Sequence, residues 1–221
     1  MVYKLYGHPF STCTNRVLIV AKEVGVDVEF HHIDLFKGEH KQPEFLKKQP
    51  FGQVPYFEDT EEGLTFYESR AISKYIATKA KAGNFVALES DPQYFKKLAL
   101  YEQAISVETT NFERFGAQLM YECLFKESSG QGKPDPNEID SLVSTLSSKL
   151  DAYETILSKQ SYLAGDELTL ADLFHAPIIP YFARMGQGQL IESRSNVKRW
   201  WESIWALKSV QDVMADESRV I

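Results

Sequence analysis

The stretch Phe51-Gly52-Gln53-Val54-Pro55 constrains this chain most, because it sets a proline where a strand should begin. Proline has no backbone N–H to give a sheet, and it forces the residue before it, Val54, to be extended. Two readings follow. In one, Pro55 is an ordinary strand-start proline after a turn at Gly52. In the other, the Val54-Pro55 bond is cis, the chain turns sharply, and the N–H and C=O of Val54 are left unpaired by the sheet, where they can hold a peptide-like ligand.

What flanks this stretch reads as two regions. Val2 to Tyr6 alternates as a short strand, Gly7-His8-Pro9 breaks it, and Ser11 to Val24 carries Val17, Leu18, Val20, Ala21 and Val24 at helical spacing. Val26 to Ile33 is β-branched and aromatic, a second strand that a crossover helix makes parallel to the first. A basic, polar segment with Lys37, Lys41, Lys47 and Lys48 leads to the Gly52 turn and a strand from Val54 to Glu58. Leu64 to Tyr67 is its hairpin partner, and Glu68-Ser69 opens a helix carrying Ile72, Tyr75 and Ile76. Residues 1–79 therefore read as a βαβ-ββα domain, 80–90 as a linker and 91–221 as an all-helical domain. In the second region, Asp91-Pro92 marks a helix start, 126–137 a loop, and Glu138 to Lys159 an amphipathic helix. Thr169 and Asp172 have the spacing of a capping box, with Leu168 and Leu173 as its staple. Trp200, Trp201, Ile204, Trp205 and Leu207 are expected to face the core from a last helix.

Composition excludes several function classes. A net charge of -7 over 221 residues argues against a general nucleic-acid binder. No apolar run approaches the ~20 residues of a bilayer span, and Met1-Val2-Tyr3-Lys4 begins strand-like with no signal-peptide core, so a cytoplasmic protein is expected. The two cysteines, Cys13 and Cys123, make no CxxC pair and provide neither a disulfide framework nor a thiolate zinc site. Adjacent His31 and His32 on a strand point to opposite faces, so no metal is expected there.

The turn Gly7-His8-Pro9-Phe10-Ser11-Thr12-Cys13-Thr14 brings three hydroxyls and a thiol to a helix N-terminus, where unpaired N–H groups favour an anion. Ser11, Thr12 and Thr14 fit helix capping as well as catalysis. Cys13 fits a redox nucleophile or a core-facing thiol. No G-x-S-x-G is present for a serine hydrolase.

Taken together, Gly7-His8-Pro9 with Ser11, Thr14 and Arg16-Val17-Leu18, then Gly38-Glu39-His40-Lys41, Pro50-Phe51-Gly52-Gln53-Val54-Pro55 and Phe66-Tyr67-Glu68-Ser69-Arg70-Ala71-Ile72, resemble a glutathione S-transferase, most of all the serine-type phi class. The resemblance runs the length of the chain. It implies a thioredoxin-like α/β domain followed by an all-α domain, a homodimer, a role in detoxification and stress response, and attack of glutathione thiolate on hydrophobic electrophiles, with a peroxidase side activity in reach. Glutathione is then a co-substrate, with no cofactor, metal, nucleic acid or membrane partner expected. Carried over by motif, Ser11 donates its hydroxyl to the sulfur, His40 and Lys41 face the glycine carboxylate, Gln53 and Val54 hold the tripeptide backbone, and Glu68 and Ser69 bind the γ-glutamyl end. Phe10, Phe36, Phe115 and Leu119 are expected to line an apolar electrophile pocket between the domains. Two further readings stand beside this one. The fold could serve as a non-catalytic ligandin for hydrophobic molecules, or Cys13 could run thiol-disulfide exchange as a deglutathionylating enzyme.

Overall fold

A computed structural model describes residues 3–215; Val2, expected to begin the first strand, lies outside the described residues, as do 216–221. The first strand is β1 (Tyr3–Gly7), which buries alternate residues Tyr3, Leu5 and Gly7. A crossover through α1 (Thr12–Glu23) brings β2 (Val28–His32) parallel to it, with Leu5 beside Phe30. A short 3-10 turn (Glu39–Lys41) and α2 (Pro43–Leu46) follow. The hairpin β3 (Tyr56–Asp59) and β4 (Leu64–Tyr67) completes a sheet of order β2-β1-β3-β4, and α3 (Ser69–Lys79) returns over it. The third strand starts two residues later than expected, after Pro55, which has no N–H for the ladder.

Strand alternation divides the sheet's side chains between two layers. On one face Tyr3, Leu5 and Phe57 pack with Val17 and Ala21 of α1 and Ile72 and Ile76 of α3. On the other, Tyr6 stacks between His31 and Tyr56 at centroid distances of 4.5 and 4.3 Å, and Phe45 of α2 meets Tyr56 edge-on. His31 and His32 do take opposite sides. His31 pairs with Glu29, while His32 lies beside His8.

Residues 89–206 form a separate helical unit. Here α4 (Tyr94–Val107) and α5 (Arg114–Met120) are joined by a π-helical segment, and a second such segment follows, so the proline-free stretch 94–125 is one helical run. The next helix, α6 (Pro136–Leu157), is capped by Asp135 and buries Leu142, Leu146, Leu150, Tyr153 and Leu157. Thr169 and Asp172 form the expected capping box on α7 (Leu170–Leu173). Fully buried Asp172 also accepts from Leu163 N–H and Trp200 Nε1, each at 2.9 Å. The unit closes with α8 (Ile179–Arg184), α9 (Gln189–Glu192) and α10 (Ser195–Trp205).

Two expectations for the tail need correction. It forms two helices, α10 and α11 (Lys208–Ala215), and only part of its apolar set is core. Trp200 and Ile204, one turn apart, are fully buried; Trp201 and Trp205, rotated about 100° from them, pair with each other at 5.6 Å, and Trp205 stays exposed. In addition, residues 207–215 group with 3–88 rather than with the helical unit. Ser209 of α11 bonds to Glu23 of α1, and Lys22 pairs with Asp212 at 2.7 Å.

Candidate active site

The turn from β1 into α1 is held by buried groups. A Cβ on Gly7 would lie 2.5 Å from Thr14 Oγ1, so glycine is required for the Thr14 side chain to fit. Thr14 is fully buried, and its Oγ1 accepts the His8 N–H at 3.3 Å. Asn15, also buried, donates to Pro9 O at 3.0 Å, and Ser11 N–H donates to His8 O at 2.9 Å. Thr12 is nearly buried too. Ser11 differs from its neighbours. It is half-buried, and its Oγ caps α1 by accepting the Thr14 N–H at 3.2 Å. Capping uses a lone pair and leaves the hydroxyl proton to be donated. The two roles left open for this residue are compatible.

Arg16, one turn into α1, is a fully buried cation, and its Nη1 donates to Ser69 Oγ at 2.8 Å and lies 3.5 Å from Cys13 Sγ. It joins the start of α1 to the start of α3, a role that sequence reasoning missed. Ser69 is buried at the first position of α3. Glu68, just before it, is exposed with φ +75°, a left-handed conformation that non-glycine residues adopt at a cost and that clusters at ligand sites.

The Val54–Pro55 bond is cis, which decides between the two readings of that stretch. Among the described residues, neither the N–H nor the C=O of half-buried Val54 has a hydrogen-bond partner. Gln53 beside it is exposed. Lys41 reaches across to this loop, with Nζ donating to Gly52 O at 2.6 Å, so it braces the loop. A Cβ on Gly52, whose φ is +59°, would come within 2.9 Å of the Lys41 side chain. His40 keeps Nδ1 buried without a partner, and burial, with the Lys41 charge, pulls its pKa below the ordinary histidine value.

Phe10 and Phe36 are exposed on this same unit, at 44% and 80%. Phe115 is half-buried in the helical unit, and Leu119 is fully buried there. Among the described residues, no three His, Cys, Asp or Glu side chains gather as a metal would need, and no helix is long and apolar enough to cross a membrane.

A mixed four-stranded sheet flanked by helices, followed by a helical unit, defines a thioredoxin-like α/β domain joined to an all-α one. Comparison with known proteins gives the family. Residues 1–78 match the glutathione S-transferase N-terminal domain, and residues 114–208 match the C-terminal domain. Glutathione S-transferase PM239X14 of Arabidopsis thaliana is 46% identical over 90% of this chain and 89% of its own. Glutathione transferase F7 from Populus trichocarpa superposes with a TM-score of 0.89 at 39% identity, covering 97% of this chain and 98% of its own. Glutathione S-transferase I from maize, solved with an atrazine glutathione conjugate, superposes at 0.88 with 33% identity over 97% of each chain. The chain belongs to the glutathione S-transferase family, among its phi-class members.

Proposed function

We propose that this chain conjugates the thiolate of glutathione to hydrophobic electrophiles. The observation that carries the reading is Ser11, which caps α1 with a lone pair and keeps its proton for an anion at the helix N-terminus. A free thiol titrates near ~8.5, and lowering that by about two units takes roughly 2.7 kcal/mol of preferential thiolate stabilisation. One hydrogen bond to a charged group contributes about 1.5–3 kcal/mol and a helix N-terminus about 0.3–1 kcal/mol. Together they suffice without a general base.

The remaining groups suit the rest of the tripeptide. The N–H and C=O of Val54 match its backbone, with Gln53 alongside. Glu68 suits the γ-glutamyl ammonium, and Ser69, backed by buried Arg16, suits its carboxylate. His40 and the Lys41 cation suit the glycine carboxylate. Phe10, next to Ser11 in the chain, and Phe36, from the loop after β2, offer exposed apolar surface for the electrophile. The solved maize relative with its atrazine glutathione conjugate supports a product of this kind. A homodimer acting in the cytoplasm fits the family, and Phe51, an apolar side chain 64% exposed, is a candidate contact.

A second reading rests on Cys13, whose sulfur lies 3.5 Å from the Arg16 guanidinium and would serve thiol-disulfide exchange. Assays of aryl halide conjugation and mixed-disulfide reduction, run with Ser11→Ala and Cys13→Ala side by side, separate the two. Conjugation predicts that Ser11→Ala lowers kcat by about 10–100-fold with glutathione affinity nearly kept, and that Cys13→Ala changes little. Loss of disulfide reduction in Cys13→Ala, with no conjugation in the wild type, would favour exchange instead. A ligandin would show neither reaction.

A further inference from the structure

His8 occupies the turn just before Ser11 and is only 4% exposed. Its Nδ1 accepts the backbone N–H of Phe10 at 3.2 Å, and a ring nitrogen that accepts carries no proton, so this imidazole is neutral with its hydrogen on Nε2. The ring contacts Phe10 at a centroid distance of 5.4 Å and Phe36 edge-on at 5.7 Å. These are the two exposed aromatics assigned to the electrophile. We propose that His8 is a positioning residue for the electrophile, a neutral imidazole that fixes Phe10 and Phe36 and releases them when it takes up a proton. The assignment of Phe10 and Phe36 rests on the conjugation reading.

The release follows from hydrogen-bond bookkeeping. A proton on Nδ1 would set two donors, Nδ1–H and the Phe10 N–H, against each other at one contact. Ser11 makes no bond to the His8 ring: its N–H donates to the His8 carbonyl and its Oγ accepts the Thr14 N–H. The titratable groups facing His8 are His32 from β2 and Asp34 from the loop after it, while α1 presents uncharged Thr14. Burial and then His32 lower the His8 pKa, and Asp34 opposes them. Asp34 is already occupied by the N–H groups of Phe36 and Lys37 and by the Lys37 ammonium. His8 is therefore neutral at pH 7, and release comes on acidification below the ordinary ~6.5.

The test combines kinetics with a readout that needs no turnover. From about pH 8 to about pH 5, the KM for an aryl halide should rise about fivefold in the wild type, the equivalent of one hydrogen bond. His8→Asn, which keeps an acceptor at the δ position and does not titrate, should flatten that rise; His8→Phe, with no acceptor, should show the raised KM at every pH. By NMR, the Phe10 amide proton should move with the midpoint of the His8 imidazole. An acid rise in KM that persists in His8→Asn, or a Phe10 amide indifferent to the His8 titration, overturns the proposal. If the chain conjugates nothing at any pH, the conjugation reading fails by itself, and the amide titration still decides whether the latch exists.

Discussion

A buried guanidinium must be paired, and Arg16 makes that requirement part of the site by donating to Ser69. Ser69→Ala removes one of its acceptors together with the hydroxyl proposed to bind glutathione. We expect KM for glutathione to rise about tenfold and stability to fall by about 1–3 kcal/mol, read by steady-state kinetics and urea unfolding. A rise in KM without any loss of stability would show that Arg16 does not depend on Ser69 for its pairing. Gly52 is as constrained, since a side chain there meets Lys41 and must also adopt φ +59°. What was legible at this scale was local chemistry. The cis Pro55 alternative, the capping hydroxyls and the φ-demanding Gly52 turn all lie within a few residues. Arg16 and Ser69 are 53 residues apart and His8 meets Phe36 from another element, so only folding reveals those pairs.

Elements were legible where one rule governed them. The capping box at Thr169–Asp172 stands where its spacing put it, while α6 begins at Pro136, two residues before the expected Glu138, because proline suits a first helical turn. The tail was not legible, because a run rich in tryptophan reads as core whichever way the helix turns, and only packing decides that Trp200 goes in and Trp205 out. The hairpin β3–β4 is fastened to α3 through Asp59, which is buried and accepts from Tyr75 at 2.7 Å and Lys79 at 2.8 Å. Burial works against its charge, but the bonds from Lys79, Tyr75 and the N–H groups of Glu62 and Glu61 outweigh it and hold its pKa at about 2. An unfolded aspartate titrates near ~3.9, so the unfolded chain binds the proton first on acidification. The stabilisation is complete above about pH 4 and is lost as pH falls through about 2. Thermal midpoints across this range should fall more steeply for the wild type than for Asp59→Asn. Parallel curves would show that the network does not carry that charge.

At the scale of the whole molecule, two separately packed units share one chain, and the described end of that chain, α11, belongs to the first of them. Sequence placed 91–221 in one helical domain because helix-forming residues look alike wherever they pack. The acidic composition fits a protein whose ligands are recognised by a few placed groups rather than by a broad field. Light scattering should report twice the mass of one chain, and a mass of one chain would remove the homodimer from the proposed function. The proposed conjugation depends on the Ser11 hydroxyl holding glutathione as its thiolate through a donated hydrogen bond. It is tested most directly by titrating the ultraviolet absorbance of bound glutathione in the wild type, in Ser11→Ala and in Ser11→Gly, the last of which keeps most of the helix cap. A bound thiol pKa about two units below the free ~8.5 is expected in the wild type, and one within about one unit of it in both variants. The same low pKa in all three proteins would contradict it.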